Sequence, residues 1–108
     1  MPARIRLSSS MFPVQAFFNA VPDEDFVITI ERLCAGRGAA FNVASCIFPD
    51  PDALESEQFE GVMFSLDEEE CIVTEAQFFQ VLRDVVDSQT SRVPAQALAL
   101  ERALAAER

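Results

Sequence analysis

Residues 58–86 read QFEGVMFSLDEEECIVTEAQFFQVLRDVV, and this stretch decides the fold. Val62, Phe64 and Leu66 alternate with Met63 and Ser65, the period of a half-buried strand within the run Gln58 to Leu66. Asp67-Glu68-Glu69-Glu70 is a polar break of turn length, and Cys71-Ile72-Val73 then returns as a strand, which predicts a hairpin with an acidic tip. Gly61 lies inside the first run, where a missing side chain suits a bulge or the close approach of another backbone. Thr74 and Gln77 form a T-x-x-Q capping box, with Val73 and Phe78 at the staple positions on either side. From there Phe78, Leu82, Val85 and Val86, widened by Phe79 and Val81, recur at helical spacing and predict a core stripe.

Upstream of the hairpin, Phe41, Val43, Ser45 and Ile47 alternate through Ala39 to Phe48 and predict one strand, ended by Pro49-Asp50-Pro51-Asp52. A loop or single turn covers Ala53 to Glu57. Earlier still, Pro22-Asp23-Glu24-Asp25 opens a helix, with acids gathered where the macrodipole favours them. Phe26, Ile30 and Leu33, with Val27 and Cys34, share one side of it, and Gly36 and Gly38 bracket its stop. The β-branched run Val27 to Ile30 makes a strand the competing reading there. A short helix through Val14 to Asn19 carries Phe17 and Phe18. Downstream, Ser88 to Arg92 reads as a polar break, and Pro94 suits the first position of an alanine-rich helix over Ala95 to Glu107. That helix has a thin stripe, Leu100 and Leu104 with Leu98 nearby, and is expected to dock on the surface of the core. The order of elements predicts a single α+β domain over residues 1–108. About three strands form a small antiparallel sheet packed against helices, with helical N- and C-terminal parts.

The net charge is −10 in 108 residues, and its placement matters more than its size. Gly38 to Leu82 contains no lysine or arginine but holds Asp50, Asp52, Glu55, Glu57, Glu60, Asp67, Glu68, Glu69, Glu70 and Glu75. Outside it, the acids are balanced by arginines alone (Arg4, Arg6, Arg32, Arg37, Arg83, Arg92, Arg102 and Arg108). Nucleic acid is a poor partner for such a surface, because binding it requires cations against phosphates. A basic protein is a good one, since complementary charge steers the encounter. A surplus of acids also keeps a small protein dispersed, which is the simpler reading of the same charge.

The chain has no histidine and no lysine, which removes the usual general base, the commonest transition-metal ligand and the Schiff-base amine. Gly36-Arg37-Gly38 is too short for a phosphate loop. Neither Asp50-x-Asp52 nor the run Asp67 to Glu70 matches the twelve-residue calcium loop with its central glycine. Cys34, Cys46 and Cys71 are odd in number and far apart, which suits buried thiols in a reducing compartment rather than disulfides or zinc. The run Met11 to Val21 after Arg4 and Arg6 is interrupted by Pro13, Gln15 and Asn19 and lacks a small-x-small cleavage site, so it is not read as a signal peptide. No stretch reaches the ~18 apolar residues of a membrane span. These readings point to a cytoplasmic, non-enzymatic protein with no cofactor, metal, small-molecule substrate, nucleic-acid or membrane partner.

What remains is a surface. Acids on two loops beside one sheet edge resemble a substitute for nucleic-acid phosphate, as in inhibitors that fill a nuclease groove with carboxylates. The candidate contact residues, chosen on charge alone, are Asp50, Asp52, Glu55, Glu57, Glu60, Asp67, Glu68, Glu69 and Glu70.

Phe59-Glu60-Gly61-Val62-Met63-Phe64, the acidic turn, Ile72-Val73-Thr74 and Gln77-Phe78-Phe79 together carry a resemblance. They are similar to the F-E-G-V-x-F … I-x-[ST]-x-x-x-[FY] pattern of the immunity proteins of contact-dependent growth inhibition systems, the CdiI type that neutralises ribonuclease toxins. The similarity runs from about Phe48 to Val86. It implies an immunity protein that binds the C-terminal toxin domain of a CdiA-type effector, a basic nuclease, and blocks its RNase activity. Phe59, Gly61 and Phe64 are then fold residues, and the family uses no fixed set of contacts to carry over. Val85, Val86 and the alanine-rich tail stand where the family often continues with cysteine or tyrosine. The alternative from composition alone is an acidic regulatory module that binds some other basic partner.

Overall fold

The computed structural model describes residues 5–52, 54–55 and 58–105. Its elements are α1 (Phe12–Ala20), α2 (Asp23–Cys34), β1 (Ala39–Phe41), β2 (Ala44–Ile47), β3 (Val62–Leu66), β4 (Glu69–Val73), α3 (Glu75–Arg92) and α4 (Ala97–Ala105). The strands form one sheet in the order β1-β2-β3-β4, every neighbour antiparallel. The α+β class and the helical ends are as expected, but the sheet has four strands rather than three.

The extra strand comes from a turn. Asn42 takes a left-handed backbone (φ 57°), a conformation asparagine tolerates better than most residues. The expected single strand Ala39 to Phe48 therefore folds back on itself at Asn42-Val43, pairing Phe41 with Ala44. The turn also reverses the parity of the chain. Phe41 points to the helices, but after the turn it is Ala44 and Cys46 that are buried, while Ile47 is exposed. Strand β3 is shorter than its sequence run, beginning at Val62, and Val62 and Phe64 are buried as expected.

Phenylalanine rings build the core on the helix side of the sheet. Phe64 lies 5.6 Å from Phe17 and 5.7 Å from Phe18 on α1, and 6.2 Å from Phe78 on α3. Phe78 also meets Phe48 edge-on at 5.5 Å. Such tilted and edge-to-face pairs add to the gain from burying the rings. Helix α3 starts on its capping box: Gln77 N–H donates to Thr74 Oγ1 (3.0 Å) and Thr74 N–H to Gln77 Oε1 (2.9 Å). Val73 and Phe78, the two staple residues, are both buried.

Helix α2 forms over the β-branched run because Phe26, Ile30 and Leu33 all reach the core at helical spacing. It ends in a Schellman motif: Arg37 N–H bonds Arg32 O, Gly36 N–H bonds Leu33 O, and Gly36 supplies the left-handed residue (φ 79°). The segment expected as a break, Ser88 to Arg92, is instead the last turn of α3. Gln89 is fully buried there, and its amide donates to Asp23 Oδ1 (3.1 Å) and Gln96 Oε1 (2.9 Å), so its polarity is satisfied inside the fold. Helix α4 packs against α2 and α3 through buried Leu100 and Ala103. Glu107, the expected end of that helix, lies outside the described residues.

Gln15 and Asn19 tie down the chain before α1. Leu7 N–H donates to Gln15 Oε1 (2.7 Å), and Asn19 exchanges two hydrogen bonds with the backbone of Ile5. The residues that spoil the apolar run thus anchor it. No helix among the described residues is long and apolar enough to cross a membrane.

Candidate partner-binding surface

The sheet has two unlike faces. On one, α1 and the start of α3 cover Cys46, Phe64 and Val73. The alternation of the strands sends Ser45, Ile47, Met63, Ser65, Glu70 and Ile72 to the other face, where no described helix packs. Two cross-strand rows run over this face. Ile47, Met63 and Ile72 form an apolar row, with Ile47 41% and Ile72 51% exposed. Ser45, Ser65 and Glu70 form a polar row beside it, its two hydroxyls hydrogen-bonded at 2.5 Å.

The carboxylates chosen by charge fall at both ends of this sheet, not beside one edge. Asp67 and Glu68 make the β3–β4 turn, with Asp67 in the left-handed region (φ 55°), and Glu69 and Glu70 open β4. The four consecutive acids do not share a face. Glu70 stands on the open face in register with Ser65, whereas Glu69 has the helix-side parity of Cys71 and Val73. At the opposite end, Asp50, Asp52 and Glu55 lie in the chain between β2 and β3, and Glu60 precedes Gly61. Glu57 lies outside the described residues. All the described candidates are exposed, and none forms an ion pair among the described residues. Asp50 Oδ1 accepts from the Asp52 N–H (2.9 Å), which braces that loop. The ion pairs among the described residues sit elsewhere, Arg92 with Asp23 (2.8 Å) and Arg83 with Glu101 (3.5 Å), on the helices.

A shallow groove lies at the loop end, lined by Pro49, Phe59, Glu60, Gly61, Ile72, Val73, Thr74 and Glu75. Gly61 makes it possible. Its backbone has φ 98°, and a Cβ placed there would collide with the Val73 carbonyl oxygen, so β4 and the chain entering β3 can approach only at glycine. Glu60 and Glu75 line this groove together with Ile72 of the open face. Charge alone passed over Ile47, Met63 and Ile72. The alternation in β3 and β4 was enough to place Met63 and Ile72 opposite the core, but Ile47 was out of phase until the turn at Asn42 was known.

Among the described residues, no three acidic, cysteine or histidine side chains stand together as a metal site. Burial pushes the Cys46 thiol up to about 12 and raises Cys71 as well, which keeps both protonated near neutrality.

A search of curated proteins gives no match to the chain. A family model described as CDI immunity protein matches residues 10–104, from the turn before α1 through all but the last residue of α4. With every strand and nearly every helical residue inside that match, the chain belongs to the family of CDI immunity proteins.

Proposed function

We propose that this protein binds the C-terminal toxin domain of a CdiA-type effector in the cytoplasm and blocks its ribonuclease activity, presenting its carboxylates to the toxin's basic face. Family membership over residues 10–104 is the observation that carries this reading. Charge supports it in physical terms. A ribonuclease holds its polyanionic substrate with cations, and a surface of exposed, unpaired carboxylates is complementary to the same groove. The long-range field of a −10 chain speeds the encounter with a cationic domain, which matters when an incoming toxin must be captured before it cleaves RNA. Inhibition is stoichiometric binding, with no reaction, cofactor or metal on the immunity side.

The test pairs the purified chain with the last domain of the large secreted effector encoded beside it. Equimolar chain is expected to abolish RNA cleavage by that domain, and its expression is expected to protect cells that produce the domain. Cleavage that continues unchanged at equimolar ratio sinks the reading.

A further inference from the structure

We propose that the helix-free face of the sheet is where the cationic toxin domain seats, with Ile47, Met63 and Ile72 as the apolar centre of the contact and the carboxylates at both ends of the strands as its rim. This inference rests on the immunity reading and adds the location. Met63 is in register with Ile47 on one side and Ile72 on the other, so the three side chains form one continuous row across β2, β3 and β4. Adjacent strands lie about 4.8 Å apart, so the row is about 10 Å long. It is the pattern of an interface core, apolar and flanked by polar groups that lose little by staying wet.

The sheet face alone is a few hundred Å², and a stable protein contact takes about 800 Å² from each partner. A partner centred on the row therefore reaches the strand ends, where Glu70 and Asp67 stand on one side and Glu60 on the other. No lysine or arginine occurs from Gly38 to Leu82, so the strands and the loops that join them carry carboxylates and no cation of their own. That selects the occupant. A second copy of the chain would set carboxylates against carboxylates, whereas a basic domain neutralises both ends at once.

The experiment measures binding of the purified effector C-terminal domain to the wild-type chain and to I47T/I72T. Threonine keeps the β-branched shape and strand preference while removing the apolar surface. The double variant is expected to melt within a few degrees of wild type and to bind at least 100-fold more weakly. Leu98→Ser on α4, a residue 65% exposed, is expected to change affinity less than threefold. E70K is expected to slow association about tenfold at low salt, and E69K, on the other side of β4, much less. Hydrogen exchange on the wild-type complex reads the same face without any substitution, and protection is expected in β2, β3 and β4. Wild-type affinity in I47T/I72T with protection confined to the helices overturns the location but leaves the immunity reading standing. A wild-type chain that does not bind the domain at all overturns both, and a dimer of the free chain that I47T/I72T dissociates overturns the choice of occupant.

Discussion

The Asp67 N–H donates to the carbonyl of Val43 at 3.1 Å, joining the β3–β4 turn to the β1–β2 turn at one end of the sheet. Each turn contains one non-glycine residue in the left-handed region, Asn42 and Asp67. The acidic tip is therefore held against a second turn rather than projecting freely, and Asn42 matters to the placement of both.

Asn42→Val is expected to destabilise the protein by about 1–3 kcal/mol, because a β-branched residue is strained at positive φ. Asn42→Gly is expected to stay within about 1 kcal/mol of wild type, since glycine adopts this backbone without strain. Urea denaturation of the two variants checks the contrast. Equal stability of the valine variant would show that the turn relaxes at little cost.

Gln89 links the C-terminal turn of α3 to the start of α2 and to the turn before α4. Arg92 bonds both Gln89 Oε1 (2.9 Å) and Asp23 Oδ1 (2.8 Å), completing the network. Replacing Gln89 by leucine leaves part of that network without its partner and is expected to cost about 1–3 kcal/mol. Gln80→Leu on the exposed side of the same helix is expected to change stability by less than about 0.5 kcal/mol. Thermal melts of both variants decide it.

Phe78→Ala removes a ring that touches Phe48, Phe64 and Phe79, and is expected to cost about 3–5 kcal/mol. Against a typical domain stability of about 5–15 kcal/mol, that leaves a marginal fold, read as a large drop in the urea midpoint.

At alkaline pH, comparison with Cys46→Ala isolates a single thiol. The chain contains neither tyrosine nor lysine, so the cysteines are its main titrating side chains between pH 9 and 12. Cys46 has an ordinary value of 9.0, raised to about 12 by burial, so the folded state holds its proton where the unfolded chain releases it. Stability from this group is complete below pH 9 and is lost as pH rises toward 12, by about 1.4 kcal/mol per pH unit. Wild type is expected to lose stability relative to Cys46→Ala across that window. Parallel pH profiles for the two proteins would refute the effect.

Much of the fold was legible because short-range physics wrote it. The capping box at Thr74 and Gln77 needs only residues three apart, and the stripe from Phe78 to Val86 needs only the helical period. The polar run from Ser88 to Arg92 misled because its partners are far away in sequence. Gln89 is at home in a helix only once Asp23 of α2 and Gln96 stand beside it. The split of Ala39 to Phe48 was missed because Asn42 marks a turn weakly without a following glycine.

Of the candidate surface, the sequence by itself determined the charge: ten carboxylates and no cation between Gly38 and Leu82, a count independent of folding. It also determined the hairpin, the capped helix that follows it and the alternation that sets Met63 and Ile72 opposite the core. Only the tertiary structure decided which acids share a face. A strand inverts its side chains at every residue, so Glu69 and Glu70 separate, and the turn at Asn42 brings Ile47 beside Met63. The packing of α1 and α3 on Phe64 then settled which side of the sheet is core and which is left open, because burying aromatic area on one face consumes the helices available to cover the other.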